Sequence, residues 1–235
     1  MTIVGRLTDA SNASFLCRIG ADTLFDPDEW PDHELPPGPL CVYKPTRGER
    51  PLHDFPDGTL GRREVAAFLL SEATGWAIVP PTVLRDGPFG EGAVQAWLET
   101  DPGVDVVELI VGPDPRLRPM CVFDLVANNA DRKGGHILPL PDGTLRGVDH
   151  GICFAVEPKL RTVLWAWRGE PFDESETAAL GRVAAALAGD LGAALTELLT
   201  RDEVRATAQR VAALLEHGRF PEPDPARPAV PWPPF

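Results

Sequence analysis

The stretch Asp131-Arg132-Lys133-Gly134-Gly135-His136 is the densest run of chemically able side chains in this sequence. Thirteen residues after His136 comes Asp149, inside Val148-Asp149-His150-Gly151. A helix ending near Asn129 delivers Asp131, and a short hairpin carries His136 on one arm and Asp149 on the other. Folding that hairpin brings two carboxylates and an imidazole together. Such a set suits a divalent metal and proton transfer. Each piece alone is weak, since Asp-Arg and Asp-x-Gly are common in turns.

The N-terminal half supplies what makes the set specific. Phosphoryl transfer needs a strand lysine on the phosphates, an acid to orient that lysine, a base-like Asp and metal ligands. The chain offers Val42-Tyr43-Lys44-Pro45, then Arg63-Glu64-Val65-Ala66-Ala67 opening a helix, then Gln95-Ala96-Trp97-Leu98-Glu99 as a connecting strand. Asp131-Arg132 and Asp149 follow in that order. Lys44 by itself would read as an edge-strand lysine snorkelling to solvent. Glu64 by itself would read as a first-turn acid serving the helix dipole. Glu72 is its rival as partner of Lys44.

In these motifs the chain resembles atypical kinases of the phosphatidylinositol 3-/4-kinase-related class, which includes HipA-like kinases. It is similar to a bacterial subgroup of that class over roughly residues 5–155, with Tyr43-Lys44-Pro45, Gly48-Glu49, Pro51-Leu52, Asp54-Phe55-Pro56 and Gly58-Thr59-Leu60 as the matching loop. The resemblance implies ATP with Mg or Mn. It implies that Lys44 contacts the α/β-phosphates and that Glu64 holds Lys44. Ser11, Asn12, Ala13 and Ser14 replace a Gly-rich loop, with backbone N–H groups turned to phosphate. Ala96, Trp97, Leu98 and Glu99 meet the adenine, Asp131 orients the acceptor hydroxyl, and Asp149 binds the metal. His136 stands where the class has a metal-binding Asn, and imidazole suits manganese better than magnesium. Lys133 stands where the class has His, and its ammonium can neutralise charge on the transferred phosphoryl. His150 replaces an apolar residue. These departures leave open a catalytically weak pseudokinase serving as a nucleotide-binding scaffold, or adenylyl transfer on the same fold.

These residues need a two-lobed scaffold. Strands are expected over Ile3–Leu7, Ser14–Ile19, Leu40–Lys44, Ile78–Leu84 and Ala93–Glu99. A helix is expected over Arg62–Thr74, with Val65, Phe68 and Leu69 as its apolar stripe and Gly75 as its cap. Further helices are expected over Pro119–Asn129, Glu174–Ala188, Leu191–Leu199 and Asp202–Glu216. The result is an α+β, protein-kinase-like chain: a strand-rich N-lobe over 1–99, a helical C-lobe over 100–219 and a Pro-rich tail over 220–235. The tail is expected to dock on the C-lobe, with service as a ligand for another protein as the alternative. Asp124 is read as solvated or as holding Arg132, and Asn128 and Asn129 as helix-end caps. Trp165 and Trp167 are read as packing against the C-lobe. Glu49 and Asp54 are read as solvated loop acids, and the charge runs at 170–176 and 201–205 as exposed helix starts.

Composition narrows the partners. The chain has 235 residues, Lys+Arg 22 against Asp+Glu 35, and net charge −13. That disfavours duplex nucleic acid and anionic lipid surfaces, so a protein or small polar acceptor is expected. No apolar run reaches a membrane span and no signal-peptide pattern opens the chain, so a cytoplasmic setting is expected. The four cysteines form no C-x-x-C and read as buried free thiols. Lysine is rare, at three residues (Lys44, Lys133, Lys159). Two of the three fall in the motifs above, where Arg would not serve.

Overall fold

The computed structural model describes residues 1–7, 12–20 and 38–235. Its N-terminal part is a five-stranded antiparallel sheet in the order β1-β2-β3-β5-β4. The strands are β1 (Thr2–Leu7), β2 (Ser14–Arg18), β3 (Leu40–Pro45), β4 (Thr82–Gly87) and β5 (Gly90–Ala96). Two of the expected strands are displaced along the chain. Ile78–Pro81 is not strand, because consecutive prolines at 80 and 81 remove two ladder donors. Residues 97–99 leave the ladder too and become the connection between the lobes.

β4 and β5 are joined through Gly87-Pro88-Phe89-Gly90, with Gly87 opposite Gly90. This hairpin sets the register that puts Ala93 beside Lys44 and Gly92 beside Pro45. At Gly92 an added Cβ would run into the Lys44 carbonyl, so the close approach of β5 to β3 requires glycine there. The placement of Lys44 thus depends on a residue forty-eight positions away.

Helix α1 (Leu60–Thr74) follows β3 and ends at Gly75, whose φ of 75° is the left-handed cap glycine supplies cheaply. Its buried face differs from the expected stripe. Arg63, Glu64, Ala67, Leu70, Ser71 and Thr74 are buried, whereas Val65, Phe68 and Leu69 are half-buried. The polar members are buried because each finds a partner. Arg63 pairs with Glu203 at 2.5 Å and donates to the Cys153 carbonyl, and Ser71 Oγ accepts from the Val79 N–H. Hydropathy alone misplaced the face, because satisfied polar groups carry no apolar signal.

The C-terminal part is helical: α2 (Val106–Val111), α3 (Arg118–Ala127), α4 (Glu174–Leu187), α5 (Asp190–Leu198) and α6 (Arg201–His217). Between α3 and α4 lies the two-stranded ribbon of β6 (Ile137–Pro139) and β7 (Leu145–Gly147). Nearly every α3 residue from Met120 to Ala127 is buried, so this short helix runs through the centre rather than along a surface. Ala66, Ala67 and Leu70 of α1 share one apolar core with α3, α4, α5 and Phe220. The sheet has a second, smaller core of Cys17, Cys41, Tyr43 and Val94. All four cysteines are free and buried. Among the described residues no single helix is long and apolar enough to cross a membrane.

The charge runs are not wholly exposed. Glu176 and Glu203 each complete a capping box at the start of α4 and α6 and each pairs with a distant arginine, Arg118 and Arg63. Glu49 is likewise engaged, accepting from the N–H groups of Leu60 and Gly61 at the start of α1. Asp54 pairs with Lys159 at 2.5 Å.

Candidate active site

The sheet edge, α1 and the β6–β7 ribbon enclose a cleft of about 630 Å³. Its lining includes Asn12, Ala13, Ser14, Lys44, Glu64, Ala96, Trp97, Leu98, Glu99, His136 and Asp149. Eleven of the fourteen singled-out positions therefore line one cavity, and Ser11 lies outside the described residues. Asp131 and Lys133 do not line the cleft.

Lys44 is the centre of the arrangement. Its Nζ lies 2.5 Å from Glu64 Oε1 and 3.0 Å from Asp149 Oδ1. Burial alone would lower the Lys44 pKa, but Asp149 and Glu64 together outweigh it and raise it, so the ammonium stays charged. Lys44 in turn holds the Asp149 carboxyl well below the usual carboxylate range, against the opposing effect of burial. Glu64 is fixed from its other side, because Oε2 accepts from the His150 N–H at 3.0 Å. Glu72 is exposed and takes no part.

Asp149 follows β7 with φ 62°, a left-handed conformation uncommon for a residue with a side chain. The turn aims its carboxylate back at the cleft. His136 precedes β6 and its Nε2 lies 3.3 Å from Asp149 Oδ2. The ribbon therefore does what the sequence spacing required of it. Burial lowers the His136 pKa and Asp149 partly restores it, so the imidazole is neutral near pH 7 and keeps a lone pair. Among the described residues no group of three or more His, Cys, Asp or Glu side chains is spaced to hold a metal alone. Two protein donors, His136 and Asp149, fit a divalent ion that takes its remaining ligands from phosphate oxygens and water.

Two expected nucleotide contacts are revised. The Ala13 N–H donates to the Gly48 carbonyl at 3.3 Å and Asn12 Oδ1 accepts from the Arg50 N–H. The 12–14 segment is thus tied to the loop after β3, and the Ala13 N–H is not turned to phosphate. In the connecting segment the N–H groups of Ala96 and Trp97 donate to Pro81 and Leu40. Among the described residues nothing bonds the N–H of Leu98 or Glu99, and both residues line the cleft.

Beneath the cleft floor lies a second charged cluster that sequence reasoning did not assign to the site. Arg132 is fully buried and pairs with Asp124 through Nε and Nη2 at 2.9 and 2.8 Å. It also reaches the carbonyls of His136 and Val148 and lies 2.7 Å from His150 Nε2. Asn129 Nδ2 donates to Asp124, and its Oδ1 accepts from the Asp131 N–H. Arg132 thereby locks together the loop that carries Asp131 and both arms of the ribbon. Guanidinium is only a donor, so His150 Nε2 accepts and the proton sits on Nδ1, which has no partner. Burial drives the His150 pKa well down and keeps the ring neutral. The signal was present in the sequence as Asp124 at helical distance from Asp131-Arg132. Its burial could not be read there.

Asp131 lies 3.3 Å from Lys133 Nζ through Oδ2. Burial pushes the Asp131 carboxyl above its ordinary range, with Lys133 pulling the other way, which makes it a better proton acceptor than a surface carboxylate. Asn128 caps α3 with φ 52° and its backbone N–H donates to the Asp124 carbonyl, while its side-chain amide donates to the carbonyls of Ala155 and Glu157. Trp167 is core, and Trp165 donates from Nε1 to Ala229.

No family model matches the chain. Among solved structures it is similar to the Helicobacter pylori proinflammatory kinase CtkA, with TM-score 0.50 and 12% identity over 93% of this chain and 94% of that one. At that identity the likeness establishes a kinase-like fold. Among curated proteins it is 42% identical to Protein Rv2133c of Mycobacterium tuberculosis over 272 aligned positions, covering 100% of this chain and 92% of that protein. With that identity sustained along both chains, this chain belongs to the family of Protein Rv2133c.

Proposed function

We propose that this chain is an ATP-dependent phosphotransferase of the atypical, phosphatidylinositol 3-/4-kinase-related type. One observation carries the reading: a strand lysine held between a helix carboxylate and the carboxylate of an Asp-x-Gly turn, inside a cleft of nucleotide size. Lys44 binds the phosphates of ATP, and Glu64 orients it. Leu98 and Glu99 meet the adenine edge. His136 and Asp149 hold a divalent ion, which when bound neutralises phosphate charge. Asp131 accepts the proton of the acceptor hydroxyl. The acceptor oxygen bonds to the γ-phosphorus, the bond to the β-phosphate oxygen breaks, and ADP leaves. Lys133 stands beside Asp131 to offset the charge that develops.

The test is thermal unfolding with ATP or ADP and Mg²⁺ or Mn²⁺, on the wild type, Lys44→Met and Asp149→Asn. Ligand at ~100 times its dissociation constant adds about 2.7 kcal/mol to stability. At this chain length that raises the midpoint by roughly 5–10 °C. The expected result is a metal-dependent shift lost in both variants. An equal shift in Asp149→Asn defeats the assignment. Mass spectrometry of acceptor proteins separates phosphoryl from adenylyl transfer.

A further inference from the structure

The Pro-rich segment 220–235 runs back over the loop that carries Asp131 and Lys133. Residues 161–163 pair with that loop first. The Arg132 N–H donates to Arg161 at 3.0 Å, and the Val163 N–H donates to Arg132 at 3.1 Å. Thr162 between them points its N–H the other way, to the Ala229 carbonyl at 3.0 Å. Trp165 Nε1 donates to the same carbonyl at 2.9 Å. Five residues on, the Gly134 N–H donates to the Pro234 carbonyl at 2.8 Å, and the Phe235 ring lies against Gly134. A methyl group at position 134 would collide with that ring, so the glycine is what admits it.

Three features make this more than a strap. Two of the contacts are backbone N–H groups and one is an indole N–H, all reaching backbone carbonyls of an extended chain, a mode that accepts many sequences. One of them falls on the loop of Asp131 itself, at Gly134, between Asp131 and the cleft-lining Gly135 and His136. Residues 218–235 contain no Ser, Thr or Tyr, so the segment has no hydroxyl to receive a phosphoryl group. It sits on the loop without being able to react there.

We propose that residues 229–235 occupy the acceptor groove, and that the acceptor is an extended polypeptide bearing a hydroxyl side chain, bound by the same donors at Thr162, Trp165 and Gly134. The inference rests on the phosphotransfer reading and names its substrate class. The segment is then an internal competitor of the acceptor and does not compete with ATP. The transfer is the one written above: the acceptor oxygen bonds to the γ-phosphorus of ATP, its proton passes to Asp131, and ADP departs.

The test uses the full chain with the segment loosened on its own side, at Phe235, as Phe235→Ala. Trp232→Ala serves as control, because that ring is 89% exposed. The acceptor probe is a library of extended peptides, each with one Ser, Thr or Tyr, and the competitor is a synthetic peptide of residues 226–235. The expected result is a rise in transfer of about fivefold or more in the loosened chain, the lower end of ordinary coupling between binding events. Trp232→Ala leaves transfer unchanged. The added peptide reverses the rise by increasing KM for the library peptide while leaving kcat and the ATP-induced melting shift alone. Unchanged transfer in the loosened chain, or competition of the peptide against ATP, overturns the proposal. A normal nucleotide shift with no library peptide phosphorylated by any variant overturns the peptide acceptor and leaves the phosphotransfer reading standing. Absence of a nucleotide shift in every chain removes that reading, and this proposal with it. Should Phe235→Ala melt before the assay temperature, Phe235→Leu carries the same outcomes.

Discussion

The cleft cluster Lys44–Glu64–Asp149–His136 and the buried cluster Asp124–Arg132–Asn129–His150 sit on adjoining stretches of chain and use the same kinds of groups. Solvent access separates them. Arg132 and the Asp124 side chain are 0% and 1% exposed, whereas the Lys44 and Asp149 side chains are 22% and 49% exposed. In the buried cluster the Asp124 oxygens and most Arg132 donors are committed within the protein. In the cleft cluster Lys44 and Asp149 keep bonding capacity toward a cavity. A charged pair whose partners are all supplied by the protein organises a fold. A similar pair with capacity left over binds something else.

That contrast has consequences at very different energies. The largest is in the buried cluster. Asp124→Ala leaves Arg132 charged, buried and without its counter-ion, which costs about 3–5 kcal/mol. Chemical denaturation should show it as a lower midpoint at unchanged slope. Asp149→Asn in the half-open cluster should change stability without ligand by less than ~1 kcal/mol, because exposed ion pairs contribute little. If the two substitutions cost the same, the distinction between the clusters is wrong.

Alkaline pH probes the buried side from another direction. Burial raises the pKa of all four thiols, and Cys17 is pushed up to about 12. Each thiol therefore contributes stability that is complete below the unfolded-state thiol pKa of about 8.5 and is lost as pH rises toward the folded value. The expected slope above pH ~9 is about 1.4 kcal/mol per pH unit for each thiol that ionises only when unfolded. Cys153 lies beneath the Arg132 cluster, and its carbonyl accepts from Arg63. Cys153→Ala should flatten that slope, and an unchanged slope would contradict the burial argument. The smallest effect belongs to His53, whose side chain is 95% exposed. His53→Ala should leave both stability and nucleotide response within ~0.5 kcal/mol of wild type.

The sequence was informative wherever chemistry depends on order along the chain. Lys44 before a proline and Asp149 in an Asp-x-Gly turn could be picked out because strand and turn each have local rules, whereas Glu64 was set above Glu72 by the family resemblance. The kinase-like fold was expected from the family resemblance those motifs carry, and most helix limits followed from periodicity and capping residues. Burial of polar groups followed no local rule. Glu176 and Glu203 read as exposed helix starts, and each is buried because its arginine partner lies 58 or 140 residues away. The buried face of α1 was misplaced on that account, as was the N–H of Ala13, which the distant Gly48 carbonyl takes.

What the sequence by itself determined is the list of able side chains and the elements that carry them, since both are written in residue type and short-range spacing. Only the tertiary structure decided which Asp–cation pair faces a cavity and which supports it, and that Pro234 and Phe235 lie on the loop that follows Asp131. Solvent access and long-range pairing arise when distant segments meet, and no stretch of sequence contains that meeting.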